Sequence, residues 1–571
     1  MTSPPVTDAP IFRWNEIRHE IVDEVERRVV AAHAAPAARP HDSSLEVLLN
    51  ELVIHEEKRL RVVKPPDTEA DKRRVQALAH ALRDTTSDDG AMRLVPLLQA
   101  QVRAYAEDIA GSFSVPAYRV ATKVLPRALS LIFTPQDLRR GLPQLGTLEG
   151  RVRIDGDLVA LRRLAARGVL VVVPTHVSNL DSPLVGFALE RAGLPPMSYG
   201  AGKNLFTSPL TSFFMARLGA YRVDRRLRFE LYKEVLKTFS QVILERGMHS
   251  IFFPGGTRSR SGAIERKLKL GLAGTALSAY VEELRRRGAG ARRYFFVPLT
   301  INMPLVLEAE TLIEDYLAEV GRSRYIIEND EFTRIGRLVT FTKKLLTMDE
   351  AIEVRFCAPR DPFGNPVDGE GRSRDARGRE IDPSRYVLVD GEPAHHKGRD
   401  AEYTRELGRL IADDFVAGAS YFSTHVVAAA LFAHLERELP SLDLYQRLRS
   451  PRRIAIGAAQ LARLVAAARE AIDDGESRGL GRIADRCRGY DAQKLVDEAL
   501  ASFRGYHTRP AAERVGDEVV LVDRELIYYY RNRLMHHGLV AAALAQAMRG
   551  ESATAPSGRP EGEARRAEVR A

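Results

Sequence analysis

The rhythm of apolar and polar positions changes twice along the chain, near residue 150 and again near 360. Phe12 or Ile11, then Trp14, Ile17, Ile21, Val25 and Val29 recur at helical spacing with charges between them, which predicts an amphipathic helix over 11–34. An Ala/Pro-rich linker at 35–44 follows. Helical patterns then resume over 45–63, 70–83 and 92–111, with a break at Lys64-Pro65-Pro66. Residues 1–140 thus read as a helical N-terminal region without a catalytic motif, whose expected role is packing. The alternative is a membrane-facing helix within 113–133, where Arg119, Lys123 and Arg127 share a face, although Pro116 and Pro126 would interrupt or kink it.

From about 150 to 360, short apolar runs alternate with helical patterns. Strands are predicted at 169–173, 196–199, 250–253, 294–300 and 351–357, and helices at 184–193, 207–218, 228–246 and 267–287. The expected fold is α/β: a largely parallel sheet with packed helices in a domain over 141–360, flanked by helical regions. Residues 361–400 are polar and glycine-rich and read as a surface excursion. Helical patterns return at 401–418, 424–437, 454–473, 492–504 and 523–547, so 401–548 is a helical C-terminal region. A disordered tail is expected over 549–571, and no internal repeat is evident.

Composition changes this picture only in part. Apolar and charged fractions of 45% and 28% fit a globular protein. Cys357 and Cys487 have no metal or redox spacing, which favours a reducing cytoplasm. Neither a signal peptide nor a run of roughly 18 apolar residues is expected. A net charge of +9 favours anionic partners: phosphorylated substrates, acidic lipid surfaces or nucleic acid. The basic clusters lack interleaved aromatics and any recognised reading module, which argues against nucleic acid.

Candidate chemistry gathers at predicted strand ends, where open α/β sheets place their sites. The run Val169–Val173 ends at Pro174, and His176 and Asp181 follow before an apolar helical pattern begins. An imidazole held in one tautomer by a carboxylate can act as a general base. The bland alternative is a turn whose Asp caps the next helix. Glycines at Gly200 and Gly219, an extended Ala220-Tyr221-Arg222-Val223 and clustered arginines form the second stretch. Residues 217–237 hold seven Lys/Arg against three Asp/Glu, which suits either a phosphate or a solvated basic helix start. The third, Pro254-Gly255-Gly256-Thr257-Arg258-Ser259-Arg260, is either an anion cradle or an ordinary glycine turn. It has neither the spacing of a nucleotide P-loop nor the nucleophile elbow of the hydrolases, so Ser259 is a poor nucleophile candidate. The fourth, Tyr294–Pro304, reads simply as a buried strand ending in proline. The pairs His395-His396 and His536-His537 form no metal cluster.

Taken together and in this order, the four stretches resemble the glycerolipid acyltransferase family. His176 to Asp181 is similar to its H-x-x-x-x-D motif, Gly219 to Arg225 to its second motif, Pro254 to Gly262 to its third and Phe296 to Ile301 to its fourth. Leu526–His537 and Ser423–Phe432 resemble segments of the bacterial glycerol-3-phosphate acyltransferase branch. This resemblance implies His176 as base and Asp181 as its orienting partner, with Arg225, Gly256, Arg258, Ser259 and Arg260 binding substrate. It also implies an acyl-CoA or acyl carrier protein donor as co-substrate, a phosphorylated glycerol acceptor, no metal or other cofactor, and a peripheral place on an anionic inner membrane face. The family's third motif normally carries a glutamate where this chain has Gly255, and its fourth an aromatic that is absent here. The acceptor therefore stays open between glycerol 3-phosphate and lysophosphatidate or another alcohol. A catalytically idle relative that binds acyl-CoA or lipid is the reading from another class.

Overall fold

The computed structural model describes residues 9–34, 45–62, 69–83, 90–121, 151–203, 215–227, 229–321, 352–504 and 507–550. The linker at 35–44, Lys64-Pro65-Pro66, Lys123, Arg127, most of the helix expected at 207–218 and nearly all of the tail lie outside these residues. The chain forms two compact units, 1–422 with 479–488, and 423–478 with 489–571.

The first unit begins with helices α1 (Trp14–Ala34), α2 (Leu45–Val62), α3 (Glu69–Arg83) and α4 (Gly90–Ile109). A short helix, α5 (Val115–Arg119), follows. Pro116 does not break this helix but stands in its first turn, where a missing N–H costs nothing, and the Ser114 side chain accepts from Ala117 N. Next come β1 (Val152–Asp155), α6 (Leu158–Arg167), β2 (Gly168–Pro174), α7 (Asp181–Arg191), β3 (Ser198–Gly202), β4 (Ala220–Val223) and α8 (Glu230–Glu245). They are followed by β5 (Ser250–Ile251), α9 (Ala273–Arg287), β6 (Arg293–Asn302), α10 (Ala309–Gly321), β7 (Ile352–Phe356) and α11 (Lys397–Ala417).

Seven strands form one sheet in the order β1-β7-β6-β2-β5-β3-β4. The five strands from β6 to β4 are parallel, while β7 pairs antiparallel with β6 and β1 runs alongside β7. The expected fold class holds. Val169 to Val173 in β2 are at most 2% exposed, because this strand has neighbours on both sides and helices over both faces. Gly219, the glycine before the extended stretch, has φ +86 and leads directly into β4, while Gly200 lies inside β3, where a Cβ would lie 3.0 Å from the Tyr221 ring. The helix expected from 267 starts only at Ala273, because Lys269 N donates to Pro254 O and draws the preceding segment over the third motif.

The N-terminal helices pack through Trp14, Val25, Leu98 and Ile109 onto Phe239 and Val242 of α8 and Tyr221 of β4. Beneath them Glu56, fully buried, accepts from Arg59 Nε at 2.6 Å and Tyr105 Oη at 2.5 Å. Arg59 also bonds Asp71 and lies 3.9 Å from Asp224, which follows β4. The helical region is thus continuous with the sheet core and braces the second motif from behind.

Residues 361–382 contain a repeat that composition concealed. Asp361, Asp368 and Asp375 each accept from the backbone N–H groups two and four residues on, and Gly364, Gly371 and Gly378 each have positive φ. The pairs Arg360–Pro366, Val367–Ser373 and Arg374–Glu380 close three successive turns at seven-residue spacing. Only glycine adopts the left-handed conformation at the fourth turn position without strain.

In the second unit, α12 (Ser423–Glu438) is buried along nearly its whole length against α14 (Ala458–Glu476), α15 (Ala492–Phe503) and α16 (Arg524–Arg531), with α13 (Leu444–Arg449) beside α16. Its apolar character therefore serves a core. The single helix expected at 523–547 is two, α16 and α17 (Gly538–Arg549), because the His537 side chain caps the second by accepting from Val540 N. Phe432 packs at a tilt against Tyr528, ring centroids 5.2 Å apart, so the two C-terminal stretches that carried the resemblance pack on each other. Among the described residues, no helix is long and apolar enough to cross a membrane.

His249, just before β5, is buried and its Nδ1 accepts from Leu170 N at 2.9 Å. Burial, aided by Arg292, holds its imidazole down at about 4, below the usual 6.5. The unfolded chain therefore takes up this proton first as pH falls. Stability contributed by neutral His249 is complete above about pH 6.5 and is lost progressively toward pH 4, a change of about 3 kcal/mol. Urea unfolding across this range should show a slope up to one proton steeper in wild type than in His249→Gln.

Candidate active site

The loop from β2 to α7 leaves the central strand at the carboxyl edge of the sheet, and its backbone is held from all sides. Thr175 N donates to Leu299 O, and Thr175 Oγ1 accepts from Ile301 N at 3.0 Å, which fixes the loop to β6. Asp181, fully buried at the first turn of α7, accepts from Val177 N at 2.6 Å and Ser178 N at 2.8 Å through Oδ2. The same oxygen lies 2.9 Å from His176 Nδ1. A carboxylate at a helix N-terminus also lies at the positive end of the peptide dipoles. With Asp181 ionised, Nδ1 carries the imidazole proton and Nε2 is left to accept one. The His176 ring packs against Phe253 at 4.5 Å, which sets its plane. Asp181 Oδ1 is buried without a hydrogen-bond partner among the described residues.

The third motif is tied directly to this loop. Ser259 N donates to His176 O at 2.7 Å, while Ser259 Oγ donates to Ala263 O at 2.8 Å. The hydroxyl proton is therefore used within the turn. Gly256 has φ +69, and its N–H donates to Phe253 O, so this amide closes the turn. A Cβ on Gly255 would lie 1.9 Å from Glu265 Oε1, and one on Gly256 would lie 2.8 Å from Lys269 Nζ. An acid from ten residues downstream thus fills the space that a side chain at 255 would enter. Arg258 Nη1 lies 3.3 Å from Glu308 Oε1, and Arg260 donates to Glu319 at 2.6 Å. Both arginines expected at a phosphate already face carboxylates.

The second motif stands farther out. β4 is three strands from β2, about 14 Å at the usual spacing. Arg222 faces Asp108 at 3.6 Å, and Arg226 makes a two-pronged pair with Asp224. Burial works to raise the Asp224 carboxyl, but the Arg226 hydrogen bonds and charge outweigh it and hold the group below its ordinary value. Arg225 is exposed and has no hydrogen-bond or ion-pair partner among the described residues. The structure therefore joins the first, third and fourth motifs directly and leaves Arg225 on the same sheet edge as an open cation.

Two acids went unread in the sequence. Glu265 and Glu308 belong to no motif, and their spacing from His176 carries no pattern. Among the described residues, no group of three or more His, Cys, Asp or Glu is arranged to hold a metal. His395 pairs with Glu282, and the His396 side chain accepts from Arg399 N at the start of α11.

Residues 157–302 match the Acyltransferase family, and the resemblance carried by the four motifs holds. The glycerol-3-phosphate acyltransferase of Pseudomonas aeruginosa PAO1 is 25% identical over 303 residues, 52% of this chain and 33% of its own. That of Pseudomonas fluorescens Pf-5 is 23% identical over 461 residues, 80% of this chain and 46% of its own. That of Ectopseudomonas mendocina is 22% identical over 515 residues, 88% and 53% respectively. The chain spans about a third to a half of the length of these curated relatives.

Gly256→Ala is expected to lower stability by about 1–2 kcal/mol, since its left-handed backbone strains any side chain and Lys269 must move. Urea unfolding measures this directly.

Proposed function

We propose that this chain, through its acyltransferase domain, moves a fatty acyl group from an acyl thioester to the 1-hydroxyl of glycerol 3-phosphate. The observation that carries this reading is the His176–Asp181 pair, 2.9 Å apart on a hydrogen-bonded loop at the carboxyl end of the central strand. His176 Nε2 takes the proton of the acceptor hydroxyl as its oxygen attacks the thioester carbonyl carbon. Asp181 stabilises the imidazolium that forms. The tetrahedral intermediate collapses with cleavage of the C–S bond, and the imidazolium returns the proton to the leaving thiolate. Atoms and charge balance without a nucleophile on the enzyme or a further cofactor.

The acceptor phosphate falls to Arg225, the arginine of this set without a partner among the described residues, together with Arg258 or Arg260 once either exchanges its carboxylate for the phosphate. Positioning of this kind converts an encounter into an oriented attack. The donor is acyl-CoA or acyl carrier protein, and the net charge of +9 suits work against an anionic membrane surface on its cytoplasmic side. Lysophosphatidate is the second acceptor to test, because Gly255 stands where the family's glutamate would, although Glu265 occupies the space beside it.

Labelled palmitoyl-CoA, offered with glycerol 3-phosphate or lysophosphatidate in separate assays, tests the reading. Product from glycerol 3-phosphate is expected. His176→Ala should lower kcat by about 10²–10⁴-fold. Arg225→Ala should raise the KM for glycerol 3-phosphate about tenfold or more and leave the KM for palmitoyl-CoA unchanged. Product only from lysophosphatidate moves the chain to the second acceptor, and none from either overturns the assignment.

A further inference from the structure

Glu308 lies six residues beyond the part of the chain that matches the Acyltransferase family, yet its side chain touches two of the four motifs. It ends the turn after β6, and its backbone carbonyl accepts the opening bond of α10 from Leu312 N. Its carboxylate serves another element altogether. Oε2 accepts from Ser178 Oγ at 2.9 Å, and Oε1 accepts from Asn179 N at 3.0 Å. Arg258 Nη1 stands 3.3 Å from Oε1.

The group is 1% exposed. Burial pushes its carboxyl up from the ordinary value, and Arg258 and the two loop donors oppose that shift. A charge this deep is retained only where its partners are fixed. Here those partners are the residues between His176 and Asp181 on one side and a phosphate-binding candidate on the other.

We propose that Glu308 is a positioning residue for acyl transfer, holding the His176–Asp181 loop through Ser178 and Asn179 so that the base keeps one orientation. This rests on the acyl-transfer reading above. Glu308 touches neither reacting group and acts through Ser178 and Asn179.

Two substitutions separate its contributions. Glu308→Gln keeps an oxygen for Asn179 N–H and an amide that can donate to Ser178 Oγ, but removes the charge opposite Arg258. Glu308→Ala removes everything. Steady-state kinetics with palmitoyl-CoA and glycerol 3-phosphate should show kcat reduced about 10–100-fold in Glu308→Ala and restored to within about threefold of wild type in Glu308→Gln, at unchanged KM for palmitoyl-CoA. A Glu308→Ala protein that is folded by circular dichroism and within threefold of wild type in kcat overturns the proposal. So does a Glu308→Gln protein as impaired as Glu308→Ala, since charge alone would then account for the effect. If Glu308→Ala does not fold, Ser178→Ala takes its place, with a kcat loss of about 3–10-fold expected and no loss overturning it.

A second readout needs no acceptor. Nitrogen-15 NMR of the His176 imidazole reports its tautomer, which should be Nδ1-protonated in wild type and Glu308→Gln and shift toward Nε2-protonated in Glu308→Ala. An unchanged tautomer in Glu308→Ala counts against the proposal even if wild type proves inactive on glycerol 3-phosphate. Wild-type inactivity, by contrast, counts against the acyl-transfer reading alone.

Discussion

Three successive backbone N–H groups, those of Val177, Ser178 and Asn179, leave the end of the central strand and point at two buried carboxylates. Asp181 takes the first two and Glu308 the third, while the carbonyl of His176 is taken by Ser259 N. Buried amides without partners are costly, so a turn at this depth exists only because acids are placed to receive it. The imidazole then has one orientation, fixed by the same oxygen that holds the loop. The strand, the glycine turn at 254–262 and the start of α10 all meet at this knot.

The first of those carboxylates was visible in the sequence because it lies five residues from the histidine, on the same turn. The second was not, because the fourth motif ends before it and the pairing spans 129 residues. The parallel core was legible for a physical reason as well. Val169 to Val173 has no polar position, as a strand covered on both faces requires. β7 could not be assigned a direction from its pattern, since a buried strand reads alike in either sense, and it proved antiparallel to β6. Gly219, by contrast, was legible: a glycine directly before an extended stretch suits a turn, and its φ is +86 at the entry to β4.

Charge was the coarsest guide. The basic stretches suggested open arginines at a phosphate, yet Arg222, Arg258 and Arg260 face carboxylates from other parts of the chain, and Arg226 pairs with Asp224 two residues away. Counting residues cannot reveal such pairing. A phosphate arriving at Arg258 or Arg260 must therefore compete with a carboxylate already in place, and part of its binding energy goes into that exchange. Arg225 faces no such carboxylate among the described residues. The buried Glu56–Arg59 pair shows why the N-terminal helices matter here: they bring a cation to 3.9 Å from Asp224, the residue before Arg225.

The three turns at 361–382 have a different kind of consequence. Each closes its own hydrogen bonds around one aspartate and one glycine, and each spans seven residues. Such a unit is a module. Removing one whole period rejoins equivalent backbone positions, whereas removing any other number puts a bulky residue where only glycine is comfortable. Over evolutionary time, insertions and deletions in this segment should therefore accumulate in steps of seven, like links added to or taken from a chain.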